Sequence, residues 1–268
     1  MTALTAPARP AIGSGRRRFG ALVRAETTIL LRNKTAVFIA VALPFLMAVA
    51  FSGIAMDREL LGVTLGIILL ATGLLFVVYY TLVTSLVGRR EQLVLKRLLS
   101  GEPTPWEILL APAVPLWVLL VIQAGLGVGG GLLLGAPLAH PWALVLAVVG
   151  GVSAWTALAV WSATWTRTVE SAQLTTMPLM MISLLLSGFS IPLSALPEPV
   201  ERLAHWLPMT PVVDLLTFAH TGITPAGTPV DGLGAALLAG GWMLLPLLLW
   251  TLLGFVAGVR GFRWDPRS

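Results

Sequence analysis

The chain has 268 residues, of which 57% are hydrophobic and only 11% charged. A typical soluble domain carries about 25% charged residues, so this chain cannot cover a water-facing surface. Its net charge of +5 reads as the cationic bias of inward membrane loops beside anionic lipid, which excludes a nucleic-acid footprint. The absence of cysteine excludes disulfides, thiol nucleophiles and thiolate metal sites.

Residues 1–16, rich in Ala, Pro, Gly and Ser, predict a disordered cytoplasmic tail. They do not begin a signal peptide, because Arg24, Glu26, Arg32 and Lys34 interrupt any apolar core that could follow. Residues 17–34 predict an amphipathic helix lying along the membrane surface. At 100° per residue Phe19, Leu22, Val23, Ile29 and Leu30 share one face, while Arg24, Thr28 and Arg32 lie on the other. Glu26 falls within the apolar face. It either snorkels to water or pairs with a cytoplasmic arginine, Arg89 or Arg90 being the expected partner.

Six spans follow, at about 35–56 (kinked at Pro44), 61–87, 108–134, 142–165, 172–190 and 233–258. Each is near the roughly 20 residues that a hydrocarbon core needs. Fourteen of the seventeen Lys and Arg residues fall at Arg9–Lys34, Arg89–Arg97 and Arg260–Arg267. Basic residues in short loops stay inside. Both termini, including the tail 261–268, and the 88–107 segment are therefore expected in the cytoplasm, with 135–141 and 191–232 outside. Gly127, Gly131 and Gly135 repeat every fourth residue in the third span, a stripe that lets helices approach closely in lipid.

Two segments break the pattern. In 88–107, Leu93, Leu95, Leu98 and Leu99 alternate with Arg89, Arg90, Lys96 and Arg97. This predicts a short helix stopped by Gly101, Pro103 and Pro105. In 191–232, seven prolines separate apolar pieces too short to span, which predicts re-entrant or interfacial helices. The expected fold is thus all-α and polytopic, with an N-terminal interfacial helix, six transmembrane helices and short re-entrant helices before the last.

The chemistry that is missing is equally informative. No Gly-x4-Gly-Lys-Ser/Thr loop is present to cradle a nucleotide, and no His-Glu-x-x-His zinc motif. His140, His205 and His220 are scattered, so no metal site is expected. Ser190 has no histidine fixed beside it for nucleophilic catalysis. An ion-coupled secondary transporter is the alternative of another class. It needs ionisable residues inside the bilayer, and the predicted spans have none in their interiors; Glu170 and Asp214 are the nearest.

Three features together resemble the membrane subunit of ABC-2 type transporters, a family that includes bacterial drug-resistance and polysaccharide exporters. They are Leu30-Leu31-Arg32-Asn33-Lys34 before the first span, Arg90-Glu91…Leu95-Lys96-Arg97-Leu98…Pro103…Pro105 between the second and third, and Ile191-Pro192…Leu196-Pro197…Leu207-Pro208-Met209-Thr210-Pro211-Val212-Val213-Asp214 before the last. The resemblance covers about residues 17–260. The family often has Gly-Thr where this chain has Leu93-Val94. The resemblance implies a permease, not an enzyme, in the inner membrane of a bacterium. Two copies, or a copy and a paralogue, would join two separate ABC ATPase subunits that bind ATP and Mg, while this chain binds no cofactor. Arg89, Arg90, Glu91, Leu95, Lys96, Arg97 and Leu98 would belong to the ATPase-coupling helix. Phe19, Leu22, Glu26 and Arg32 would belong to the interfacial gate helix, and Pro192, Pro197, Pro208, Pro211 and Asp214 to the outer re-entrant region. Drug or antibiotic efflux is the first expectation for cargo, with lipid or polysaccharide export the alternative.

Overall fold

The computed structural model describes residues 14–32, 57–230 and 232–265, and residues 34, 38, 42, 46, 49 and 50 singly. Most of the expected first span, Pro44 included, and most of the expected N-terminal tail lie outside the described residues. Among the described residues the chain is all-α, and five helical stretches are long and apolar enough to cross a membrane. The protein is a polytopic membrane protein.

Helix α1 (Ser14–Arg32) starts three residues before the expected boundary. Its inward stripe is Arg18, Phe19, Leu22, Val23, Glu26 and Leu30, the spacing of one helical face. Ile29, expected on that face, is 57% exposed. Helices α2 (Arg58–Thr72) and α3 (Thr81–Glu91) are joined by a π-helical stretch, Gly73–Tyr80, into one rod. Asp57 caps it by accepting from the Leu60 amide at 2.7 Å. The rod has 34 residues, about 51 Å at helical rise. It therefore overruns a hydrocarbon core of roughly 30 Å, and its last turns carry Arg89 and Arg90 at one end of the bundle. The wider π turns fall where Gly73 meets α6; a Cβ there would lie 2.6 Å from Gln123 Oε1.

After the rod come α4 (Val94–Leu99), α5 (Pro105–Leu110) and α6 (Ala113–Leu133). The expected third span is thus two helices, with the break at Ala111–Pro112 where proline withholds its N–H. Gly127 and Gly131 pack on α2. A Cβ on Gly131 would sit 2.8 Å from the Gly62 carbonyl oxygen, and one on Gly62 equally close to that of Gly131. Gly135 does not continue the stripe. The helix ends at Leu133, and Gly135 takes φ +95 beyond it with open space around its Cβ position. It serves as the left-handed stop of α6.

Helix α7 (Pro141–Trp165) is the hub. Its small residues Ala143, Ala147, Gly151 and Ala154 are buried and admit neighbours closely. Helix α8 (Val169–Leu186) begins in a Thr168–Ser171 capping box and leaves most of its surface uncovered. Helix α11 (Leu233–Gly261) runs along α7, with Gly254 against the Ala157 backbone and Gly258 against Val160.

Between α8 and α11 the chain forms a 3-10 turn (Leu193–Ala195), α9 (Glu198–Ala204) and α10 (Thr210–Thr221). Helix α10 is buried along almost its whole length, with Val212 against Gly151 and Leu216 against Gly66. Trp250 Nε1 donates to the Trp206 carbonyl at 2.7 Å. The α9–α10 hairpin therefore dips to the middle of the bundle and returns, and His140 N–H donates to Ala219 O where it emerges.

Candidate coupling site at the basic end of the bundle

The ends of α3, α7 and α11 and the starts of α5 and α8 meet at one end of the bundle, with α1 and α4 beside them. Arg89 and Arg90 are adjacent on α3 and so point about 100° apart. Arg89 reaches α1, and its two terminal nitrogens donate to the two carboxylate oxygens of Glu26 in a fork. Both side chains are largely buried. Arg90 turns the other way and is fully buried. It donates to Ala163 O at 2.7 Å, to Thr166 O and to Arg167 O at 3.4 Å. These are carbonyls at the C-terminal end of α7, where a cation complements the helix dipole. Arg90 is therefore a structural cap for α7, not part of an exposed coupling surface as expected from sequence.

A second fork holds α1 to α5. Arg18 Nε and Nη2 donate to the two Glu107 carboxylate oxygens, each at 3.1 Å, and Glu102 lies 3.8 Å from Arg18 Nη1. The same Glu107 closes a capping box with Thr104, accepting from its amide at 2.7 Å. Sequence reading missed this clamp. The available signal was Thr104-Pro105-Trp106-Glu107, a capping box with proline at its first helical position.

The linking segment turns on Leu93, whose φ of 58° is the left-handed conformation that favours glycine. The turn throws Leu95 inward, fully buried, which removes a second expected residue from the exposed face; α4 needs it as an anchor. Leu98 is half-buried. Glu91, Gln92, Leu93, Lys96, Arg97 and Leu99 remain exposed. Lys96 Nζ donates to Asp265 Oδ1 at 2.6 Å, tying α4 to the C-terminal segment through an exposed pair. On α1, Phe19 and Leu22 are half-buried and Arg32 is exposed.

The expected outer residues lie at the far end and within the hairpin. Pro192 and Pro197 are exposed ahead of the 3-10 turn and α9. Pro208 and Pro211 are buried at the bottom of the hairpin, Pro211 in the first turn of α10. Asp214 is largely buried, its Oδ2 3.8 Å from His205 Nδ1. Among the described residues no group of three metal-ligating side chains comes together.

The arrangement offers mechanical linkage: a mixed charged and apolar knob on α4, next to the end of α3, which is itself paired to α1. A comparison with protein families matches residues 17–219 to the ABC-2 type transporter family. A comparison with curated proteins finds no match. With the matched region running from α1 through the dipping hairpin, the chain belongs to the ABC-2 type transporter family, as a membrane permease component.

Proposed function

We propose that the protein is the transmembrane half of an ATP-driven exporter, working as a pair of permease chains with two separate ABC ATPase subunits. The observation that carries this is the exposed knob from Glu91 to Leu99, anchored by the buried Leu95 and following directly on the end of α3, which the forked Arg89–Glu26 pair holds to α1. A docking element must transmit force, and forked ion pairs between partly buried groups hold geometry better than loose surface contacts. Both termini and the knob face the cytoplasm in this reading, with the α9–α10 hairpin closing the outer side of a bacterial inner membrane. The cargo is an amphipathic small molecule such as a drug or antibiotic, since apolar and aromatic walls suit such molecules.

Assembly with a cognate ATPase tests the proposal. The permease alone should hydrolyse no ATP, having no phosphate-cradling loop, and the assembled complex should show cargo-stimulated hydrolysis. Robust turnover by the permease alone, or failure of the ATPase to bind it, would overturn the reading.

One observation favours a second reading, an ion-coupled transporter. Asp214 and His205 lie near each other at the bottom of the hairpin, and ionisable groups at that depth serve as ion sites in such proteins. Flux driven by a proton gradient without any ATPase, and lost in Asp214→Asn, would select it.

A further inference from the structure

We infer that the cavity bounded by α5, α6, α7 and α11 holds one acyl chain of an anionic phospholipid, drawn from the leaflet at the basic end of the bundle. The cavity encloses about 450 Å³, within the roughly 300–1,000 Å³ of small-molecule sites. Its wall on α7 runs from Val148 to Val160, about 18 Å at helical rise. The cavity is therefore a long slot whose length and apolar wall suit a hydrocarbon chain.

The chemistry of the wall selects hydrocarbon. Ser153 Oγ donates to Val149 O at 2.7 Å, Thr251 Oγ1 to Leu247 O at 2.7 Å, and Trp117 Nε1 to Thr156 Oγ1 at 2.9 Å. Those donors are spent within the protein. Little polar surface is left facing the slot, so a ligand rich in amides or hydroxyls would find few partners there, at a cost of roughly 1–3 kcal/mol for each group left unpaired. A methylene chain carries no such group, and it restores dispersion contacts that an empty slot forfeits.

Position selects the source. Val121 and Val149 are 55% and 58% exposed on membrane-crossing helices, so the slot opens sideways into hydrocarbon. At its basic end it is flanked by Trp106 stacked on Phe255, ring centroids 4.8 Å apart, and tryptophan favours the headgroup level. Val259, the last wall residue of α11, is followed by exposed Arg260, with exposed Arg263 beyond. Neither arginine forms an ion pair among the described residues. Two such cations where a chain would leave the slot suit a phosphate headgroup.

Native mass spectrometry of the full-length permease, titrated with phosphatidylglycerol or phosphatidylcholine of matched chains, tests the assignment. One phosphatidylglycerol per chain should be retained, preferred by about ten-fold or more. Val149→Trp fills the slot from an exposed position and should cut retention by about ten-fold; Ser153→Phe is a second filling variant on the same wall. The double change Arg260→Gln and Arg263→Gln should erase the headgroup preference while phosphatidylcholine is still retained. Unchanged retention in a filling variant that melts like wild type overturns the site. Equal retention of the two lipids by the wild-type protein, an unaltered preference in the arginine variant, or displacement of the lipid by tetraphenylphosphonium overturns the anionic-lipid occupant.

Discussion

Two adjacent arginines on one helix carry different loads. Arg89 balances a buried carboxylate on another helix, whereas Arg90 satisfies carbonyls that α7 leaves open at its end. Removing one partner of a buried pair costs more than the pair contributes, because the other charge stays unmatched. Glu26→Gln should therefore destabilise the protein by about 3 kcal/mol in denaturant unfolding. The exchange Glu26→Arg with Arg89→Glu should recover part of that loss, and the same exchange with Arg90 should recover none. If Glu26→Gln unfolds and transports like wild type, the carboxylate is not held by Arg89. Arg90→Ala should also cost on the order of 2–3 kcal/mol, the scale of a charged hydrogen bond lost with its partners left buried. Leu93 works in the opposite sense. Its left-handed backbone carries strain of about 1–2 kcal/mol, offset by the greater chain entropy of glycine, so Leu93→Gly should raise stability by about 0.5–1 kcal/mol. A loss in the same unfolding assay would mean that the exposed leucine is held by contacts worth more than the strain.

At the scale of helices, close approach depends on two glycine pairs. Gly62 faces Gly131 and Gly66 faces Gly127, so α2 and α6 touch backbone to backbone. Gly131→Ala would press a methyl to 2.8 Å from the Gly62 carbonyl and should cost about 1–3 kcal/mol. Gly129→Ala, with open space around it, should be neutral or slightly stabilising, since alanine favours helix. Equal effects in a thermal melt would remove the glycine pairing as the reason for the approach. These elements also show what a linear chain reveals. The five described spans follow from apolar run length, and the inward stripe of α1 from its period. The proline-rich stretch gave short helices, because proline limits them locally. The burial of α10 inside the bundle, the π turns facing Gln123 and the turn of Arg90 away from Arg89 were not legible, because each depends on which distant helix lies alongside. The stripe at Gly127 and Gly131 was legible, but its end at Gly135 was not. Periodicity continues through a residue whose φ has already left the helix.

Three of the ion pairs among the described residues gather at the basic end of the molecule. Arg18–Glu107 joins α1 to α5, Arg89–Glu26 joins α3 to α1, and the exposed pair Lys96–Asp265 joins α4 to the C-terminal segment. In the proposed orientation this end is cytoplasmic, and Ser100, exposed just beyond α4, should label as Ser100→Cys only when an impermeant reagent reaches the inner face; the chain has no native cysteine to confuse the result. Labelling from outside intact cells would invert the topology. The coupling role itself separates from a passive one by charge. A basic knob can rest on anionic lipid through Lys96 and Arg97 alone, and adding positive charge would then be harmless or favourable. A knob seated in a protein groove uses its acidic and apolar residues as well. Glu91 is exposed on this knob and forms no ion pair among the described residues, so Glu91→Lys should leave folding intact. It should weaken ATPase binding by about ten-fold, near 1.4 kcal/mol, and reduce transport per ATP hydrolysed. Arg97→Ala should weaken the same complex, whereas Leu95→Ala should lower stability first, because Leu95 is fully buried. If Glu91→Lys keeps both ATPase affinity and coupled transport, the knob does not dock through Glu91, and lipid is what holds the basic side chains.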